Sequence, residues 1–296
     1  MPHAVSDAVA AARPPQVQAA FQFTRRLADG DLRRSSDLAE LMQSEDLSRE
    51  CWLFVGPHDD DLCIGGGLLM QAAAEAGADL QSVIVTDGRQ GYCRQEQRET
   101  ICGIRWEETL ASFETLGIDA ATVANLGFPD GGLIEFAGRR PLQNGDENGC
   151  SDSAVCGSIG LQNSFTHMLR QLRPARVFVP TPTDLHPDHR ITHGELMISL
   201  FHAAGAIWPE LGPPLVEVPK VYEMAVYCDF SEPPNLEVVS DAEHFQKKLD
   251  SIAAFQSQVQ IASLVASLKK AGPFEYFREV TFRLYCPETY KPLFRG

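Results

Sequence analysis

The sequence predicts an α/β fold, a Rossmann-like, mainly parallel sheet with helices on both faces, and three observations carry that expectation. From residue 51 onward, short apolar runs alternate with longer helical stretches, the order that right-handed βαβ units produce. Two of those apolar runs empty directly into clusters of His and Asp, at the carboxyl edge where open α/β sheets bind ligands. The 296 residues, 44% hydrophobic and 22% charged, supply a core of ordinary size for one large domain or a domain with an appendage.

Residues 1–50 read as an N-terminal helical extension. They are polar and Ala-rich, with helical character over residues 17–27 and again over 36–42. The α/β domain is expected over residues 51–296. It opens with a buried strand at 51–55, stopped by Gly56-Pro57, followed by a helix at 64–76, a strand at 80–86, a helix at 104–116 and a strand at 121–126. Residues 138–157, GRRPLQNGDENGCSDSAVCG, have the composition of a long surface loop, and such loops in compact domains are often lids. A helix at 161–172 and a strand at 176–180 follow, the strand running into TPTDLHPDHRITH. Beyond lie a helix at 194–204, a Pro-rich connection at 207–219, a strand at 220–227 and one long helix at 241–268. The Pro-rich connection and the 138–157 loop are the expected walls of a substrate pocket.

Charge and composition exclude several classes of partner. The net charge is -15 and the pI about 4.9, with no run of Lys or Arg, so the basic footprint of a nucleic-acid binder is missing. No apolar run approaches the roughly 20 residues that cross a bilayer. The first residues, MPHAVSDAVAAARPPQ, lack a basic end followed by an apolar core, and a cytoplasmic protein is the expectation. The eight cysteines are scattered without a CxxC pair, which argues against a thiolate zinc site. Cys150 and Cys156 share a polar loop where a disulfide could close under oxidising conditions.

The chemistry concentrates after two strands. Cys51 to Gly67 reads CWLFVGPHDDDLCIGGG, placing His58, Asp59, Asp60 and Asp61 between a strand and a helix; His186-Pro187-Asp188-His189 follows the strand at 176–180. Hydrolases commonly hold a divalent ion such as zinc with two imidazoles and one carboxylate, leaving a position for water. His58, Asp61 and one of the histidines His186 and His189 could supply that set. Asp60, beside the ligands, is then placed for a general base. Either cluster alone reads more readily as a solvated turn, but two of them after strands of one sheet point to a shared site.

These motifs resemble the LmbE-like (PIG-L) de-N-acetylases, which remove acetyl groups from N-acetylglucosamine-type sugars. The family's (A/P)HxDD motif is matched by Pro57-His58-Asp59-Asp60-Asp61 and its HPDH motif by His186-Pro187-Asp188-His189. The likeness continues through Thr86-Asp87-Gly88, Arg105 with Glu108, Leu116-Gly117, Leu126 to Gly131, and Ser257-Gln258 on the last long helix. The resemblance implies that residues 51–296 form a deacetylase domain holding zinc or another divalent cation through His58, Asp61 and His189, with Asp60 as general base. By the same likeness His186 steadies the oxyanion or protonates the departing amine, Arg105 and Asp130 contact sugar hydroxyls, and Asp188 orients a ligand imidazole. The implied partner is a small amino-sugar substrate, with no nucleic acid and no membrane; an assembly of identical copies is left open. A hydrolase of another acyl amide in antibiotic, thiol or lipid metabolism, and a non-catalytic sugar-binding protein, are the competing readings.

Two positions depart from the family pattern. Asp59 stands where most members have Pro, and Leu62 where many have Glu. Several other features take the plainer reading: His167, His193, His202 and His244 as structural or surface residues, and Trp106 as core. Gly65-Gly66-Gly67 lacks the GxGxxG spacing, and the acids before it would repel a pyrophosphate.

Overall fold

The computed structural model describes residues 19–143, 153–282 and 285–295. Its strands are β1 Phe21–Arg26, β2 Leu32–Ser35, β3 Cys51–Gly56, β4 Asp79–Thr86, β5 Val123–Phe128, β6 Arg140–Pro141, β7 Ser158–Ile159, β8 Arg176–Pro180, β9 Lys220–Met224, β10 Leu236–Ser240 and β11 Phe274–Val280. Its helices are α1 Leu38–Met42, α2 Asp61–Glu75, α3 Ile101–Thr115, α4 Leu161–Leu172, α5 Pro187–Ala204, α6 Ala242–Ala253, α7 Ile261–Ala271 and α8 Lys291–Phe294. Nine strands form one sheet in the order β2-β1-β10-β11-β9-β8-β3-β4-β5. The run from β9 to β5 is parallel, and the run from β2 to β9 is antiparallel.

Period-two alternation in β3 divides the core. Trp52 and Phe54 join one apolar cluster with residues of α2, α3 and α6, while Leu53 and Val55 join the other with residues of α4 and α5. Helices therefore cover both faces of the parallel half, whose central strands β3 and β8 are buried on both sides. The three glycines of α2 serve this packing. A Cβ on Gly65 would lie 3.2 Å from Met224 Sδ, and one on Gly67 3.3 Å from Lys248 Cγ, so glycine lets the helix settle close against β9 and α6.

Three expectations are corrected. Residues 17–27 are not helical where described: Phe21–Arg26 is a strand with alternate residues Phe21, Phe23 and Arg25 buried, paired to β10. Two phenylalanines and a threonine at that spacing favour a pleated, half-buried surface over a helix. Residues 19–50 thus add two strands to the main sheet, although residues 38–42 are helical as expected, with Asp37 capping from its side chain. The single helix over 241–268 is two, α6 and α7, separated by residues 254–260, so Ser257 and Gln258 lie in the connection rather than on a helix. Strands β10 and β11 lie outside the sequence reading altogether.

The helix expected at 194–204 begins earlier, at Pro187, with His186 as its cap. Proline suits a first helical position because its missing N–H would be unpaired there anyway. Of the 138–157 loop, residues 144–152 lie outside the described residues, Cys150 among them; its flanks form the β6–β7 ribbon. Among the described residues no helix is long and apolar enough to cross a membrane.

Candidate metal centre and active site

The first cluster is held by a tight turn. Pro57 O accepts from Thr86 N at 3.0 Å and Thr86 Oγ1 at 2.8 Å, tying the end of β3 to the end of β4. A Cβ on Gly56 would meet Leu62 Cγ at 2.9 Å, which is why the turn takes glycine there. His58 N then donates to Asp61 Oδ2 at 2.8 Å, and α2 starts at Asp61. The second cluster is built by the start of α5, where His186 Nδ1 accepts from Asp188 N at 3.3 Å. His189 follows within the first turn of that helix.

These two clusters, distant in sequence, meet. His58 Nδ1 lies 3.2 Å from His189 Nε2 and 3.3 Å from Asp61 Oδ2, and His189 Nε2 lies 3.1 Å from the same oxygen. Ligands about 2.0–2.1 Å from a tetrahedral zinc ion would be separated by about 3.3 Å along each edge. The triangle is also a set of converging lone pairs with little else to satisfy them. Asp61 is fully buried, and its Oδ1 has no hydrogen-bond partner. The donor set and its spacing fit a divalent cation. Two wider trios, His58 with His186 and His189, and His58 with Asp130 and Asp188, also offer one ligand atom each within 4.8 Å. The His58–Asp61–His189 set is the more compact and pairs two imidazoles with one carboxylate.

Carboxylates stand behind both imidazoles. His58 Nε2 lies 3.2 Å from Asp130 Oδ1 and 3.5 Å from Asp188 Oδ2, and His189 Nδ1 lies 3.2 Å from Asp184 Oδ2. Each carboxylate is itself anchored: Asp130 accepts from Gln90 N, Asp188 from Gly131 N, and Asp184 from His186 N and Tyr227 N. Such backing orients a ligand ring and increases its basicity. Burial pulls the His58 imidazole down, but Asp61, Asp130 and Asp188 outweigh it and hold it well above its ordinary range. Asp61 shows the converse: burial opposes its charge, yet the two imidazoles hold it far below the usual carboxylate range. A site that attracts protons this strongly is one a cation can take over by displacing them.

Asp60 differs from its neighbour. Burial raises its carboxyl above the ordinary range and the Asp61 charge adds to this, while Arg105 works against both. A raised carboxylate beside a cation site has the character of a proton acceptor. His186 lies edge-on to His58, ring centroids 4.4 Å apart. Burial and the two neighbouring imidazoles depress its pKa. Its Nδ1 is an acceptor, so the neutral ring carries its proton on Nε2.

Arg105 is buried, with Nε 2.7 Å from Asp59 Oδ2 and Nη2 3.2 Å from Asp60 Oδ1. Beside these groups opens a cavity of about 310 Å³, lined by His58, Asp60, Arg105, Asp130, His186 and Tyr227 among others. That is the size of a small-ligand pocket. Its outer wall comes from two connections, residues 90–93 and 258–260, joined by Gln258 Nε2 donating to Gly91 O at 2.7 Å. Behind that wall, Glu108 accepts from both Ser257 N and Ser257 Oγ at 2.7 Å. The Pro-rich connection expected to wall the pocket contributes none of the described lining residues.

The structure thus gathers His58, Asp60, Asp61, Arg105, Asp130, His186, Asp188 and His189 into one connected cluster, of which His58, Asp60, Arg105, Asp130 and His186 line the cavity. Two residues of this constellation escaped the sequence reading. Asp184 backs His189, and Tyr227 stacks on the His189 ring with centroids 5.0 Å apart. Asp184 sits two residues before the HPDH motif, and that proximity was the available signal; Tyr227 had none. The other described histidines serve the fold. His244 pairs with Asp241 and Glu75, His193 with Glu223, His202 packs on Trp208, and His167 meets Leu211 O.

Residues 53–199 match the family model described as PIG-L, GlcNAc-PI de-N-acetylase. A 1D-myo-inositol 2-acetamido-2-deoxy-alpha-D-glucopyranoside deacetylase of Kineococcus radiotolerans is 28% identical over 236 residues, covering 75% of this chain and 63% of that protein. The chain therefore spans less than two thirds of this relative's length. A second deacetylase of the same description, from Saccharopolyspora erythraea, is 27% identical over 71% of this chain and 84% of its own. Among solved structures, N,N'-diacetylchitobiose deacetylase from Pyrococcus horikoshii superposes with a TM-score of 0.60 at 22% identity, covering 82% of this chain and 90% of that one. At that identity the likeness shows the shared fold.

Proposed function

We propose, from the premise that this chain carries a LmbE-like/PIG-L de-N-acetylase domain, that it removes the acetyl group from an N-acetylglucosamine-type amino sugar or its conjugate. The catalytic unit is taken as residues 51–296, with residues 19–50 extending its sheet. The observation that carries the reading is the compact His58–Asp61–His189 triangle with a buried, raised carboxylate next to it.

In this reading His58, Asp61 and His189 would hold zinc or another divalent cation, which supplies Lewis acidity toward water and the amide carbonyl. Asp60 accepts the proton of the attacking water, helped by a carboxyl that burial raises above its ordinary value. His186, neutral and protonated on Nε2, donates to the oxyanion as the carbonyl becomes tetrahedral. The carbon–nitrogen bond breaks as a proton reaches the amine, giving acetate and the free amino sugar. Asp130 and Asp188 keep His58 in register, and the free edges of Arg105 and Asp130 offer hydrogen bonds to sugar hydroxyls. The scattered cysteines suit a reducing compartment, and the protein is taken to act in the cytoplasm.

The test is metal analysis of the purified protein together with acetate release from a panel of N-acetylated amino sugars and other acyl amides. One bound divalent ion and acetate from N-acetylglucosamine conjugates are expected. A protein that binds no divalent cation, even when offered one, and releases acetate from none of the panel would end the reading.

A further inference from the structure

Asp59 is the residue at which this chain leaves the family's usual proline, and it is not a spare acid. It is 2% exposed, pairs with Arg105 Nε at 2.7 Å through Oδ2, and accepts from Thr109 Oγ1 at 3.1 Å through Oδ1. The neighbouring loop is moulded onto this pair. A Cβ on Gly88, whose φ is +67°, would lie 2.6 Å from Asp59 Oδ2, and one on Gly91 would lie 2.8 Å from Arg105 Nη1. Glycine at both places lets the backbone that walls the cavity close over the ion pair.

The charge balance of the cavity turns on that pair. Arg105 is the only Lys or Arg among the described residues lining it, and its charge is divided between Asp59 and Asp60. The carboxylates of Asp59, Asp60, Asp61, Asp130, Asp184 and Asp188 are all buried around the floor, so Arg105 and a doubly charged cation together still leave the surroundings negative. The polar residues of the outer wall, Gln90, Tyr92, Gln258 and Gln260, are uncharged hydrogen-bonding groups. Among the described lining residues no cationic side chain besides the already paired Arg105 stands ready for a phosphate, whereas hydroxyls find donors and acceptors throughout.

We propose that Asp59 is a specificity-determining positioning residue: by engaging Arg105 it withholds the cavity's guanidinium charge from the ligand, so the site takes uncharged amino-sugar conjugates and discriminates against anionic ones such as sugar phosphates. This rests on the deacetylase reading and narrows its substrate class.

The experiment compares kcat/KM for a matched pair, methyl N-acetylglucosaminide and N-acetylglucosamine 1-phosphate, in the wild type, Asp59→Asn and Thr109→Val. The wild type is expected to favour the neutral sugar by about tenfold or more, the range over which like-charge juxtaposition acts in a poorly solvated site. Asp59→Asn frees Arg105 and narrows that ratio, chiefly by lowering KM for the phosphate. Thr109→Val disturbs the same packing but keeps the ion pair, and holds the wild-type ratio; a merely structural Asp59 would leave the ratio unchanged in both variants. A wild type that shows no preference for the neutral sugar, or an Asp59→Asn protein that folds and keeps the full preference, overturns the proposal. Should Asp59→Asn not fold, Asp59→Pro, which restores the family's usual residue, takes its place: a narrowed ratio supports the proposal and a full wild-type preference overturns it. Acetate from neither sugar would count against the deacetylase reading instead, and calorimetric binding of the same two sugars then decides the charge question, with no preference for the neutral one overturning it.

Discussion

Helix α2 meets buried charge at two places, and the two are built on opposite terms. Midway along it, Glu275 accepts from Leu68 N and Leu69 N and pairs with Lys248 at 2.6 Å, every partner buried. At its N-terminal end, Asp60 and Asp61 face His58, His189 and Arg105, the acceptor atoms His58 Nδ1, Asp61 Oδ2 and His189 Nε2 converge within 3.3 Å of one another, and the buried Asp61 Oδ1 has no hydrogen-bond partner. The first group closes on itself and fixes where β11 and α6 lie on the helix. The second is left open, and groups held in that state are stabilised by what they bind. Burial alone does not separate a structural ion cluster from a chemical one; the pairing of its atoms does.

The comparison can be broken at either end. The largest effect is expected from Asp61→Ala, which removes one corner of the triangle. Bound divalent ion and deacetylase activity should both be lost, activity by about a thousandfold or more, while circular dichroism stays native. If Asp61→Ala kept its metal and its activity, the open cluster would be structural after all. Next, Asp60→Asn should retain the metal but lose about 10²–10⁴-fold in kcat, the usual contribution of a positioned base; metal content and steady-state rates check this together.

The closed cluster should respond in stability. Lys248→Met strands Glu275 without its ammonium and should lower unfolding stability by about 3–5 kcal/mol, as breaking a buried pair does, with near wild-type kcat in the fraction that remains folded. Denaturant titration and active-site counting separate the two. The smallest effect belongs to the far end of α2, where His244 bridges Glu75 and Asp241. Burial lowers this imidazole, but the two carboxylates outweigh it and raise its pKa above 6.5. A raised folded-state pKa means that the stabilisation is fully present below the unfolded value and is lost as pH rises through the folded one. His244→Gln should therefore cost under about 1 kcal/mol, measurable at pH 6 and falling away as pH rises. A pH-independent difference would contradict it.

The sequence made the parallel half legible because its central strands carry short apolar runs ending in a turn, as at Val55-Gly56-Pro57 and Val179-Pro180. It made the site legible because the His and Asp residues sit immediately after those runs. The antiparallel half was less readable. Strands such as Phe274–Val280 alternate exposed and buried residues with Glu and Arg interspersed, and neither a run nor a helical period stands out. Glu275 lies in that pattern as a buried acid whose partner, Lys248, is on another element. Tyr227 was hidden for a related reason: β9 ends at Met224, and the turn that follows carries the ring over His189 through a bend that no local pattern encodes. The moulding of Gly88 and Gly91 around Asp59 and Arg105 likewise depends on contacts across 46 residues of chain.

The family match stops at residue 199, but the architecture does not. Strand β8 hydrogen-bonds to β9, which follows the matched segment, and both Tyr227 and Gln258 on the cavity wall come later still. A recombinant fragment trimmed to the matched boundaries would carry every ligand of the triangle on a sheet with a bare hydrophobic edge, prone to pairing with its own copies. The smallest autonomous version of this protein is therefore set by the sheet rather than by the motifs, and truncation experiments should be drawn beyond β11.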